Sequence, residues 1–212
     1  MSSWTWFKLG EALALFVAGF GLAWLGRVVK WFKNRKKQKW ESFDINKMSQ
    51  KDIRLIELLS ELRVAVNASR VHIHRFHNGG KFVGGEPIKK FSCTHESVAI
   101  GVSHEITNEQ NVLCSMMMPI FGYLEENRAT IRKTEELGCE YLRSLFMSQS
   151  VKAFACMPLK MDHLGGMVMI GFVGFEYVDL DNIPKDEDGN ELPHLEAAEK
   201  FVDLIEVELT KG

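Results

Sequence analysis

Tryptophan is absent after residue 40 of this 212-residue chain, and no acidic residue lies between Glu11 and Glu41. The four cysteines (Cys93, Cys114, Cys139 and Cys156) include no C-x-x-C, so the spacing of a redox or zinc motif is lacking and they read as buried thiols of a reducing compartment. Neither Gly79-Gly80 nor Gly84-Gly85 is followed by Lys-Ser or Lys-Thr, which removes a phosphate loop. His95-Glu96 lacks the second histidine of a zinc-protease helix. Asp179, Asp181, Asp186 and Asp188 form only a loose calcium-loop pattern, with Pro184 standing where a ligand is needed. The chain also has no internal repeat and no low-complexity segment.

What is present is strongly divided. Residues 9–26 are apolar apart from Glu11, and 18 such residues make about 27 Å of helix, enough to cross a hydrocarbon core. Aromatic residues flank the stretch, with Trp4 and Trp6 before it and Trp24 and Trp31 at its far end, as belts at two membrane interfaces require. Arg27, Lys30, Lys33, Arg35, Lys36, Lys37 and Lys39 follow, a basic run suited to anionic lipid. The positive-inside rule therefore predicts a single-pass anchor in the inner (cytoplasmic) membrane, N-terminus outside and the remainder cytoplasmic. A cleaved signal peptide fits less well, because the leading segment is barely basic. Gly10, Ala14, Ala18 and Gly21 form a small-residue stripe on which two anchors can pack, so a homo-oligomer is expected. Eight basic residues and one acid give residues 1–40 a charge of +7, leaving −9 for the remainder of a chain with −2 overall. An acidic domain of this kind disfavours nucleic acid, and membrane lipid or a protein partner is the expected contact.

Beyond the basic run, Leu55, Leu59, Leu62 and Val66 recur at helical spacing, with Ile56 alongside and Ser49 placed to cap. The helix serves as a coiled-coil stalk or, more simply, as the first helix of the domain. Arg70–His77 alternates as a strand, Val71 and Ile73 on one face, His72, His74 and Phe76 on the other. Asn78-Gly79-Gly80 is expected to turn, with His77 and Asn78 stabilising it, and 89–94 to form a second strand. Residues 110–127 and 134–148 read as helices, with Pro119 near the start of the first or kinking it. Residues 151–159 and 167–177 read as strands, and 195–209 as a closing helix. Hairpins around a helical insertion predict an α+β domain with an antiparallel sheet flanked by helices, preceded by one transmembrane helix.

These residues resemble the GAF family of sensory modules. The resemblance rests on the leading helix, on Ala68-Ser69-Arg70-Val71-His72-Ile73-His74-Arg75-Phe76-His77-Asn78-Gly79 as first strand and turn, and on the closing hairpin, 151–158 with 171–175, and final helix. Small membrane-anchored proteins of this type occur in bacteriophage genomes, which this chain also resembles. The implied organisation is a transmembrane helix with a short outer tail over 1–32, a basic juxtamembrane linker over 33–48 and a GAF-like cytoplasmic domain over 49–212. The resemblance implies a five- or six-stranded sheet with a ligand pocket between one face and the intervening loops and helices. Members bind cyclic nucleotides, tetrapyrroles, amino acids or metals, and many only dimerise. The N-K-x-F-D-E signature of cyclic-nucleotide binders is missing here, and Thr94 separates Cys93 from His95, so the Cys-His pair of bilin-attaching members is missing too.

The expected pocket residues are His72, His74, Phe76, Phe91, Cys93, His95 and Met117. His72, His74 and His95 have the chemistry to ligate zinc or iron, but polar histidines along a strand are commoner than ligands, so no metal site and no cofactor is assigned. Cys93 with Cys114 offers a redox pair like that of GAF-type reductases of free methionine sulfoxide, without any readable feature that lowers a thiol pKa. The expected function is a non-enzymatic, membrane-anchored module binding a small ligand or a protein partner. A metal- or thiol-dependent enzyme, or a structural protein assembling in the envelope, are the alternatives.

Overall fold

The computed structural model describes residues 45–81 and 83–211. The expected anchor, the basic run and the small-residue stripe at Gly10, Ala14, Ala18 and Gly21 lie outside the described residues. Among the described residues no helix is long and apolar enough to cross a membrane. Ser49–Gly212 forms one compact unit, which contains the sheet and the site.

In chain order the elements are α1 (Ile45–Ala65), β1 (Arg70–Lys81), β2 (Pro87–Val98), β3 (Val112–Leu113), α2 (Met118–Glu125), β4 (Arg132–Lys133), α3 (Glu140–Ser148), β5 (Ala153–His163), β6 (Gly166–Tyr177) and α4 (Glu196–Thr210). Single 3-10 turns at Cys114–Met117, Thr134–Glu136 and Leu180–Asn182 link them. All strand pairs are antiparallel, in the order β3-β2-β1-β6-β5-β4. The expected α+β class with a helix-flanked antiparallel sheet is what forms.

Because strand side chains alternate, the sheet separates two apolar cores. On one face Val71, Ile73, Ala153, Ala155, Val173, Phe175 and Tyr177 meet Leu55, Leu58, Leu59 and Leu62 of α1 and Ala198, Val202 and Ile205 of α4. On the other, Phe91, Phe154, Cys156 and Phe172 meet Ile120 and Leu124 of α2 and Leu142 and Phe146 of α3. Helix α1 is thus built into the domain, and Leu58 takes the inward place expected of Ile56, which is exposed. Ser49 lies inside α1 rather than capping it, since residues 45–48 are already helical. Lys51 Nζ donates to the carbonyls of Leu209 and Lys211 at 2.8 and 3.0 Å, tying the start of α1 to the end of α4.

Three expected boundaries differ. Strand β1 runs through Asn78-Gly79-Gly80, and the chain reverses only near Gly84-Gly85, while Asn78 pairs with Lys89 in the ladder. His77 accordingly bonds across to Ser92 at 2.9 Å instead of shaping a turn. The single helix expected over 110–127 is broken into β3, a 3-10 turn and α2, because Pro119 lacks an N–H and is tolerated only in the first turn of a helix. The helix expected over 134–148 begins at Glu140, after Leu137 in extended conformation and Gly138. The β5–β6 hairpin closes on Leu164 and Gly165, both at positive φ (55° and 83°), as the twist-matched two-residue turn requires.

Candidate functional site

Strand β1 supplies the floor of the site. Its even-numbered residues Arg70, His72, His74 and Phe76 face away from the α1/α4 core, and on β6 Phe172, Gly174 and Glu176 lie beside them. On β2 the same face is filled by Glu96, then by Cys93 and Phe91. The change from even to odd numbering is a β-bulge: Ile73 pairs with His95 but His74 pairs with Cys93, so Thr94 is the extra residue. Phe91, Cys93 and His95, which strict alternation would place together, are thereby parted. His95 faces the α1 side and contacts Asp52 Oδ1 at 3.2 Å, a correction to its expected place in the pocket.

The fourth wall comes from the loop between β2 and β3. A backbone bond from Cys93 N–H to Glu109 O (2.8 Å) and a bond from Asn111 N–H to the Ser92 hydroxyl Oγ (2.8 Å) fasten this loop to β2. The Glu109 carboxylate is thus held over β1, where His72 Nδ1 and His74 Nε2 both donate to Glu109 Oε2, at 3.0 and 2.7 Å. Behind them Arg70, fully enclosed, donates from Nε to Glu176 Oε2 at 2.7 Å and from Nη2 to the Gln149 carbonyl at 2.8 Å. Glu96 accepts from the backbone N–H of Glu105 and from His104 Nδ1, each at 2.8 Å. Four carboxylates (Glu96, Glu105, Glu109, Glu176) surround one guanidinium and two imidazoles, a concentration of charge that a packed core avoids unless the groups are paired, as they are here.

The electrostatic consequences follow from this crowding. Burial works against a charge on His72, but Glu176, Glu109 and Glu96 outweigh it and raise its pKa to about 9. Burial works against ionised Glu109 as well, yet the hydrogen bonds from His72 and His74 hold its carboxyl well below the usual range. Burial and the neighbouring carboxylates push the Cys93 thiol up, and burial pushes Cys156 up to about 12. Cys114 is also raised by burial, and all four cysteines are free thiols, so nothing here prepares a thiolate nucleophile.

Beside this polar cluster lies a cavity of about 110 Å³, bounded by His72, His74, Phe91, Met117, Phe172 and Gln149 among others. His74 stacks on Phe172, ring centroids 4.4 Å apart, and meets Phe91 edge-on at 5.4 Å. Of the residues expected in the pocket, His72, His74, Phe91 and Met117 line this cavity. Cys93 is buried against its polar end, and Phe76 packs on Phe121 and Phe172. Met116 and Met118 are exposed. Glu109, Gln149, Glu176 and Arg70 carry no local sequence signal for this place. Asp186 and Asp179 accept bonds from their own turns, and with them the loose calcium pattern is accounted for by loop structure.

Comparison with solved structures identifies the fold as GAF-like. The blue-light-absorbing form of the Thermosynechococcus elongatus PixJ GAF domain is 14% identical, with 79% of this chain and 87% of that one covered at a TM-score of 0.52. The phycocyanobilin-bound GAF domain from a cyanobacterial phytochrome is 14% identical, covering 88% and 93% at 0.52. A far-red cyanobacteriochrome photoreceptor is 9% identical, covering 87% and 96% at 0.51. No protein-family model matches the sequence, and no curated protein matches it at a significant level.

Proposed function

We propose that this chain is a membrane-anchored, non-enzymatic GAF-like module that binds a small polar ligand in the cavity between its sheet and helices α2 and α3. The carrying observation is that two of the residues lining the cavity, His74 and Gln149, each hold a buried polar atom without a hydrogen-bond partner, Nδ1 and Oε1 respectively. A buried polar atom left bare costs about 1–3 kcal/mol, so such atoms beside a cavity favour an occupant that bonds them. Its volume, well under the roughly 300–1,000 Å³ of drug-sized pockets, suits a molecule of a few heavy atoms. That size also weighs against a tetrapyrrole like the one bound by one of the fold neighbours. The raised thiols and the absence of an activated nucleophile among the described residues favour binding over thiol catalysis.

The anchor is the second part of the proposal. It is supported by the apolar stretch over 9–26, the flanking tryptophans and the basic run after it, a pattern that favours a domain at the cytoplasmic face. Native mass spectrometry of the full chain tests the ligand reading. A small retained organic mass is expected, and it should be lost in His74→Phe, which keeps the ring stack on Phe172 but removes the imidazole nitrogens. A chain that retains no organic mass, and whose melting temperature no small organic anion or amino acid raises, would overturn the reading.

A further inference from the structure

We propose that His72, His74, Cys93 and Glu109 form a binding site for a divalent transition-metal ion of the zinc type. The four residues come from β1, β2 and the loop beyond it, and each brings one nitrogen, sulfur or oxygen atom to within 4.8 Å of the other three. The donor set of two imidazoles, a thiol and a carboxylate is the borderline set that zinc and its neighbours prefer over magnesium or calcium. Tetrahedral zinc with bonds of about 2.0–2.3 Å sets its ligand atoms roughly 3.4 Å apart. The present contacts of 3.0 and 2.7 Å from His72 Nδ1 and His74 Nε2 to Glu109 Oε2 would need to open by only about half an ångström.

The surroundings of His72 point the same way. A metal-bound imidazole turns its other ring nitrogen to a carboxylate, which fixes the tautomer and strengthens the ligand. His72 Nε2 lies 3.5 Å from Glu96 Oε1 and 3.8 Å from Glu176 Oε2, buried and without a hydrogen bond. Both carboxylates are held in turn, Glu96 by the Glu105 N–H and Glu176 by Arg70. The site is therefore a ligand set backed by a second ring of oriented acids. On binding, the ion displaces the proton on His72 Nδ1 and the proton on Cys93 Sγ to solvent, while the single proton of His74 moves from Nε2 to Nδ1 so that Nε2 is free to bind. His72 keeps the proton on Nε2 that faces Glu96 and Glu176.

The proposal concerns the polar end of the same cavity and does not require an organic ligand. Zinc and cobalt(II) titrated into the metal-stripped full chain are the probes. One zinc per chain is expected, and cobalt(II) should give an intense thiolate-to-metal absorption band. Cys93→Ser should abolish that band, while His95→Ala and Cys156→Ser keep it, because His95 faces the opposite side of the sheet and Cys156 is outside the cluster. Glu96→Gln, which touches no metal, should weaken zinc affinity about 10–100-fold. Should Cys93→Ser fail to fold, Glu109→Gln on the loop provides the second variant, with at least about a tenfold loss of affinity expected. A folded wild-type chain that takes up no stoichiometric zinc, or a cobalt spectrum without a thiolate band, overturns the proposal. Retention of an organic mass without metal would overturn this site alone, whereas metal without any other retained molecule would leave it standing and remove the organic ligand.

Discussion

Arg70 shows how far one side chain determines the polar half of the molecule. Its guanidinium spends its donors on Glu176, on the Gln149 carbonyl and on Ser103, and also lies 3.6 Å from Glu105. Replacing it with Met keeps much of the volume but leaves the Glu176 carboxylate buried without its cation. Removing one partner of a buried ion pair costs about 3–5 kcal/mol, so Arg70→Met should lower the urea-unfolding free energy by that amount. A loss below about 1 kcal/mol would mean that the carboxylates are relieved in another way. The mechanism is uncompensated charge rather than a cavity, so Arg70→Met/Glu176→Leu should recover most of the loss.

At the scale of elements, β1 and β6 approach each other closely at Gly171. A Cβ on Gly171 would stand 2.0 Å from the carbonyl oxygen of His74, a contact that backbone alone can relieve. Gly171→Ala should therefore part the two central strands locally, cost on the order of 3 kcal/mol or more, and displace His74 as well. Denaturant unfolding checks the first effect and ligand or metal retention the second. Wild-type behaviour in both would refute the close approach.

The same pair of strands separates what the sequence reveals from what it hides. The alternation of Val71 and Ile73 against His72, His74 and Phe76 is a local, period-two signal, and it placed the histidines on the correct face. Helices α1 and α4 were legible for a similar reason, each showing one apolar stripe. The Thr94 bulge was not, since an extra residue in a ladder depends on the partner strand and leaves no mark of its own. That single irregularity moved His95 out of the pocket while keeping Phe91 and Cys93 facing it. Glu109 was equally hidden: it sits in an irregular loop, and its meeting with His72 depends on backbone bonds to β2. Tertiary context also overrode the long helix expected through Pro119, because the segment must first pair with β2 as β3.

On the scale of the whole molecule, the acidic domain and the basic, apolar leader are expected to behave as different materials. The full chain should fractionate with membranes and stay there after high-salt and alkaline carbonate washes. A chain lacking residues 1–40 should be released. Release of the intact chain by salt alone would reduce the attachment to its basic run. Protease added outside spheroplasts should leave the cysteine-bearing domain intact, and digestion of that domain would reverse the proposed orientation.

A central sheet with a separate core on each side also has a genetic consequence. On β1 the odd positions maintain the scaffold with α1 and α4, whereas the even positions furnish the cavity. Neighbouring codons thus answer to different constraints, and the lining of the cavity can change at every second residue while the architecture persists.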